Sequence, residues 1–135
     1  MVEVGCGHSV LLAELQALGY EYVGVEPDDT TAEWSRRNMG VNVRPGFFPG
    51  VDLPNCDLFL AFDVIEHSLD PETFMKSAAQ LLNAGGVAII QTPLDVGERY
   101  QRPFEEMFDA VFDDLEHQFI FTSLRARVFG SLRTV

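Results

Sequence analysis

With 135 residues, 47% hydrophobic and 22% charged, the chain is long enough for one domain with a real core and too short for two. Its net charge of −12 repels a phosphate backbone, which argues against a nucleic-acid partner and reads as a solvated, solubilising surface. No apolar run approaches the ~18 residues of a membrane span, and no basic stretch precedes an apolar one in signal-peptide order. Cys6 and Cys56 lack metal-type spacing and fit a reduced, cytoplasmic protein better than a disulfide scaffold.

Val2–Val4 reads as a short first strand. It runs into Gly5-Cys6-Gly7 and then a helical pattern over 9–18, with Val10, Leu11, Leu15 and Leu18 apolar and Gly19 as a left-handed cap. Tyr22–Val25 is a second strand, with Glu26 at its end. Asp28-Asp29-Thr30-Thr31 opens a second helix, where Thr30 and Glu33 have capping-box spacing, and the helix closes near Asn38-Met39-Gly40. Val41–Arg44 is a short third strand stopped by Pro45-Gly46. Asp57–Asp63 is a continuous apolar run between two acids, the mark of a strand covered on both faces. Asp70 caps a third helix with Pro71 at its first position, and Ala84-Gly85-Gly86 ends it. Val87–Gln91 is a fifth strand, ended by Pro93. Strands alternating with helices in this way predict a doubly wound parallel sheet with helices on both faces, in one domain over 1–135.

Residues 94–102 read as a loop. Pro103 to Glu116 is strongly amphipathic: Phe104, Met107, Phe108, Val111, Phe112 and Leu115 share one face, and Glu105, Glu106, Asp109, Asp113 and Asp114 the other. Residues 94–118 are therefore expected to form either a helix on the sheet edge or a lid over a cleft. Thr122 is expected to cap a last helix.

The strand–glycine turn–helix junction carries the chemistry. Such a turn lets a ligand approach the backbone and meet the free N–H groups of a helix N-terminus. Glu26, about 20 positions after the turn, is where an acid grips ribose hydroxyls in this architecture. A hydride-transfer dinucleotide site would want a third glycine at position 10. Val10 there crowds the helix against the strand, and Glu3 is a poor neighbour for a diphosphate but a good one for a cation.

These residues together resemble the small-molecule branch of the class I S-adenosylmethionine-dependent methyltransferases. Glu3-Val4-Gly5-Cys6-Gly7 is similar to their first motif, and Phe62-Asp63-Val64-Ile65-Glu66-His67-Ser68-Leu69-Asp70-Pro71 to the segment after their fourth strand. Leu81-Leu82-Asn83-Ala84-Gly85-Gly86 resembles the turn before strand five, and Glu116-His117-Gln118-Phe119-Ile120-Phe121-Thr122 a later element of the same branch. The resemblance implies a Rossmann-like fold and a site for S-adenosylmethionine. Glu3, Gly5, Cys6, Gly7 and Ser9 would line its methionine and ribose, and Glu26 would hold the ribose hydroxyls. Pro27 and the pair Phe47-Phe48 would border adenine, while Phe62 and Asp63 would lie near the sulfonium. Ser9 could cap the helix, and His8 stands where the family has a small residue, so altered loop geometry is expected.

Methyl transfer to a hydroxyl, amine or acidic carbon also needs a base. His67, after strand four, is the first candidate; His117 is the second, and Glu66 could orient either ring. Asp63, Glu66, His67 and His117 also resemble the ligand set of metal-dependent RNA 2′-O-methyltransferases. A non-catalytic remnant that binds the cofactor is the third alternative. The family's sheet has seven strands in the order 3-2-1-4-5-7-6. Here the expected order is 3-2-1-4-5 with the last two strands missing, as in a truncated member. Strand five is then an exposed edge, which a homodimer could cover.

Overall fold

The computed structural model describes residues 1–95 and 121–122. Its elements are β1 (Val2–Val4), α1 (Val10–Ala17), β2 (Val23–Glu26), α2 (Asp29–Asn38), β3 (Val43–Pro45), β4 (Cys56–Phe62), a 3-10 turn (Ile65–His67), α3 (Pro71–Leu81), β5 (Leu82–Gln91) and the short strands β6 (Leu94–Asp95) and β7 (Phe121–Thr122). Five strands form one parallel sheet in the order β3-β2-β1-β4-β5, as expected. The order reverses between β1 and β4, the place where ligands bind in open sheets of this kind.

The strands read as apolar runs because both faces are covered. On one face Val2, Val4, Val23, Val25, Phe59 and Ala61 meet Phe74 and Ala78 of α3. Phe48, Phe59 and Phe74 form an aromatic triad there, with ring centroids 4.9–6.1 Å apart. On the other face Cys6, Leu12, Ala32, Val41 and Val43 join α1 and α2 to the sheet. Gly24 is required in that layer. A Cβ on it would strike Leu12 and lie 2.8 Å from Cys6 Sγ, so glycine lets α1 approach.

Several boundaries differ from the sequence reading. Helix α1 is apolar nearly all round, so its pattern named the inward face only in part: Leu12 is buried and Leu15 packs against the same cluster, while Val10, Leu11 and Leu18 are exposed. Val10 therefore does not crowd the strand. Strand β3 starts at Val43 rather than Val41. Asp28, not Thr30, caps α2, its side chain accepting from the Thr31 N–H. Asp70 does cap α3, accepting from the Thr73 N–H at 3.0 Å, with Pro71 next. Strand β5 begins at Leu82 because the expected glycine turn is absorbed as an irregularity. Cys56 pairs with Leu82, and the ladder resumes at Leu58 with Val87. As the outermost of the sheet's five described strands, β5 leaves Val87 and Ile89 about half exposed.

Two short segments also depart from expectation. Leu94–Asp95, read as loop, pairs in parallel with Phe121–Thr122, so Thr122 sits in a strand rather than at a helix cap. The rest of the 94–118 segment, His117 and the final helix lie outside the described residues. No helix among the described residues is long and apolar enough to cross a membrane.

Candidate functional site

The loop between β1 and α1 is shaped by three consecutive left-handed turns at alternate residues. Gly5 has φ 71°, Gly7 φ 49° and Ser9 φ 60°. At Gly5 a Cβ would also collide with the Val64 side chain, so glycine is demanded twice over. The loop is tied to β2, since the Gly5 and Cys6 N–H groups both donate to the Val25 carbonyl, at 2.8 and 3.1 Å. Among the described residues nothing lies within 4 Å of where a Gly7 Cβ would stand, so the backbone is open on that side.

Glu26 closes the loop from the neighbouring strand. Its carboxylate is buried and accepts from the Gly7 N–H at 2.9 Å and from the Asp28 N–H at 3.0 Å. A carboxylate has about four acceptor positions. Two bonds to the backbone orient it and leave capacity for two hydroxyls. Pro27, next in the chain, is exposed.

A buried polar layer supports the loop from below. Ser35 Oγ, in the middle of α2, donates to the Gly7 carbonyl at 3.1 Å. Ser9 Oγ lies 3.3 Å from the same carbonyl and 3.4 Å from Cys6 Sγ. Ser9 thus stands at the N-cap of α1 without capping it by its side chain, a correction to the expected role, because its left-handed backbone turns the hydroxyl back to the loop. Ser35 was missed in the sequence. Its spacing of three from Ala32, on the inward face of a polar helix, was the available signal. Burial pushes the Cys6 thiol up to about 11, so it stays protonated and unreactive.

Glu3 is the most unusual member. It is buried on β1, one oxygen has no hydrogen-bond partner among the described residues, and desolvation raises its carboxyl from 4.5 to about 7. His8 is exposed and sets its ring edge-on to Trp34, 5.0 Å between centroids, which takes its bulk away from the loop's interior.

At the carboxyl end of β4, Phe62 is half-buried and Asp63 exposed, with Asp63 at φ 53° and its N–H bonded to the Gln91 carbonyl. The 3-10 turn follows. His67 is exposed there, and its backbone N–H donates to Val64. Glu66 is buried; Thr92, which the sequence did not flag, donates to Glu66 Oε2 at 3.0 Å, and Oε1 has no hydrogen-bond partner among the described residues. This bond joins the ends of β4 and β5. Phe47 and Phe48 part company: Phe48 belongs to the core triad, whereas Phe47 is 76% exposed on the turn after β3. Among the described residues no group of three His, Cys, Asp or Glu is placed to hold a metal ion, and His117 of the expected set is not described. A groove of about 430 Å³ between the Phe48–Leu53 segment and α3 includes none of these loop residues.

A strand, a glycine loop and a buried acid meet at the point where strand order reverses, and the chain belongs to the family described as "Methyltransferase domain", which matches residues 1–127. The ubiquinone biosynthesis O-methyltransferase of Bradyrhizobium diazoefficiens is 26% identical over 98 residues, covering 68% of this chain and 39% of that protein. The chain therefore spans about two fifths of the length of such relatives. Among solved structures, a possible histamine N-methyltransferase of Thermotoga maritima is 27% identical with a TM-score of 0.72, covering 95% of this chain and 59% of that one. A SAM-dependent methyltransferase of Archaeoglobus fulgidus, 16% identical with a TM-score of 0.70 over 95% of this chain and 57% of that one, shares the fold. The sheet is the Rossmann-like one of these methyltransferases.

Proposed function

We propose that this chain forms the donor-binding core of an S-adenosylmethionine-dependent methyltransferase that acts on a small-molecule acceptor. The observation that carries the reading is the Glu26 carboxylate, buried and held by the Gly7 and Asp28 N–H groups beside an open glycine backbone. Its remaining acceptor positions fit the two hydroxyls of a ribose.

The residues present suit that donor. Gly5, Cys6 and Gly7 form a backbone wall for the ribose and methionine, and Ser9 locks the wall from inside. Pro27 and the exposed ring of Phe47 stand where an adenine would need flat apolar surface. Phe62 and Asp63, at the end of β4, would flank the sulfur. The unpaired oxygen of Glu3 suits a cation better than a phosphate.

Bound there, S-adenosylmethionine supplies an electrophilic methyl group on a positively charged sulfur. The chain's own part is to align and desolvate the acceptor and to take up its proton. His67, exposed on the turn after β4, is the group proposed to receive that proton. His117 is the second candidate, on sequence alone. The Glu66–Thr92 bond would hold the His67 turn against the end of β5. The name of the Bradyrhizobium relative favours oxygen as the acceptor atom.

Calorimetric titration of the chain with S-adenosylhomocysteine, and separately with NAD, tests the reading. Saturable heat with the first and none with the second is expected. Binding of NAD in preference would replace the reading with an oxidoreductase one.

A further inference from the structure

We infer that α2 clamps the donor loop: Ser35 and Trp34, neighbours on that helix, are positioning residues that hold the Gly7–His8 peptide from two sides. The inference rests on the donor-site reading above and names what keeps that site in shape.

The helix itself explains neither residue. Serine is a weaker helix former than alanine, and a mid-helix hydroxyl usually turns back onto its own helix. Ser35 is fully buried in the middle of α2 and donates instead to the Gly7 carbonyl, 28 residues away, at 3.1 Å. Ala32, one turn earlier, shows that alanine fits the same buried layer. Trp34 is the chain's only tryptophan, and it stands 43% exposed on a largely polar helix. Its ring meets that of His8, with 5.0 Å between centroids and 81° between planes. Consecutive residues of α2 thus grip consecutive residues of the loop.

The grip falls where the loop cannot hold itself. Gly7 has no side chain to wedge it, so its left-handed backbone is set by the bonds it makes. Its N–H donates to Glu26, and its carbonyl accepts from Ser35. Ser9 Oγ lies 3.3 Å from the same carbonyl, but it has one proton to share with Cys6 Sγ, 3.4 Å away. Ser35 is therefore the carbonyl's constant donor. A trans peptide sets its N–H opposite its carbonyl, so Ser35 also turns the His8 N–H away from the buried layer. Released from Ser35, Gly7 rotates and its N–H leaves Glu26. That carboxylate then loses one of the two amides that aim it.

The test compares the parent with Ser35→Ala, Trp34→Ala, the double variant and Ala78→Gly, which disturbs a buried helix position on the far face of the sheet. Two quantities are read: exchange of the Gly7 amide proton with solvent in the ligand-free chain, by NMR, and affinity for S-adenosylhomocysteine, by calorimetry. One hydrogen bond or one aromatic contact is worth about fivefold. Each single clamp variant should speed Gly7 exchange and weaken the ligand by about that factor. Ala78→Gly, less stable but with the clamp intact, should match the parent in both. The two clamp residues act on one peptide, so the double variant should fall short of the ~25-fold product of two independent losses. A clamp variant that keeps the parent's exchange rate or its affinity overturns the proposal. So does an equal loss in Ala78→Gly, and so do single losses that multiply in full. A parent chain that does not bind S-adenosylhomocysteine overturns the donor reading, and this proposal with it.

Discussion

The Gly7 N–H donates to Glu26 Oε2 across 19 residues of sequence, at 2.9 Å. That bond joins the end of the second strand to the loop after the first, so the shape of the loop and the direction of the carboxylate are set together. With the Asp28 N–H on the other oxygen, Glu26 is preorganised before any ligand is present. Preorganisation lowers the ordering cost of binding.

The two amides that hold Glu26 should report on the ribose. Addition of S-adenosylhomocysteine should shift the Gly7 and Asp28 amide resonances in a nitrogen–proton correlation spectrum, along one saturable curve. The Phe74 amide, on the far face of the sheet, should stay still. Shifts confined to the groove by α3 would assign the ligand to another place.

Gly5 has a left-handed backbone, and a methyl group on it would run into Val64. Gly5→Ala should lower stability by about 1–3 kcal/mol from backbone strain, with the collision in addition. Trimming the obstacle in Gly5→Ala/Val64→Ala should recover the collision part and leave the strain. Urea denaturation of the two variants and of Val64→Ala separates the terms. Full recovery in the double variant would mean that the backbone conformation costs nothing.

A buried and an exposed phenylalanine should give opposite phenotypes. Phe74 is buried against Phe48 and Phe59, so Phe74→Ala should cost about 3–5 kcal/mol. Phe47 is exposed, so Phe47→Ala should change stability by less than about 0.5 kcal/mol. Phe47→Ala should nevertheless weaken donor binding about fivefold, the worth of one aromatic contact. Unchanged affinity would remove Phe47 from the adenine site.

Glu3 should make stability depend on pH. Its carboxyl is raised from 4.5 to about 7 in the folded protein, so the fold binds its proton more tightly than the unfolded chain does. The stability this group lends is present below about 4.5 and lost as pH rises through about 7. Glu3→Gln lacks this loss. It should be more stable than the parent at pH 8, by about 1–3 kcal/mol, with the gap closing toward pH 4. Denaturation at the two pH values reads the difference, and an equal gap at both would deny the buried proton.

The strands were legible because their signal is local. The run from Leu58 to Phe62 can only be covered on both faces, and Asp70-Pro71 states a helix start in two residues. The glycine spacing and Glu26 were legible for the same reason. What the sequence hid depends on distant partners. The apolar faces of α1 could not be ranked until the sheet placed Leu12 over Gly24. The irregularity in β5 follows from where Cys56 and Leu58 find their partners. Ser35 under Gly7 and Thr92 on Glu66 are contacts across 28 and 26 residues, with no periodic trace. Phe47 and Phe48 look alike in sequence, and only the turn after β3 sends one outward and the other into the core.

The central claim is that one carboxylate holds the donor's ribose. Its direct measure is the affinity of S-adenosylhomocysteine for the parent chain and for Glu26→Ala, by calorimetry, with thermal unfolding as a control for folding. Two hydrogen bonds to a charged acceptor are worth about 3–6 kcal/mol, so a loss of at least about 100-fold in a folded variant is predicted. A folded Glu26→Ala that binds the ligand as tightly as the parent would contradict the account.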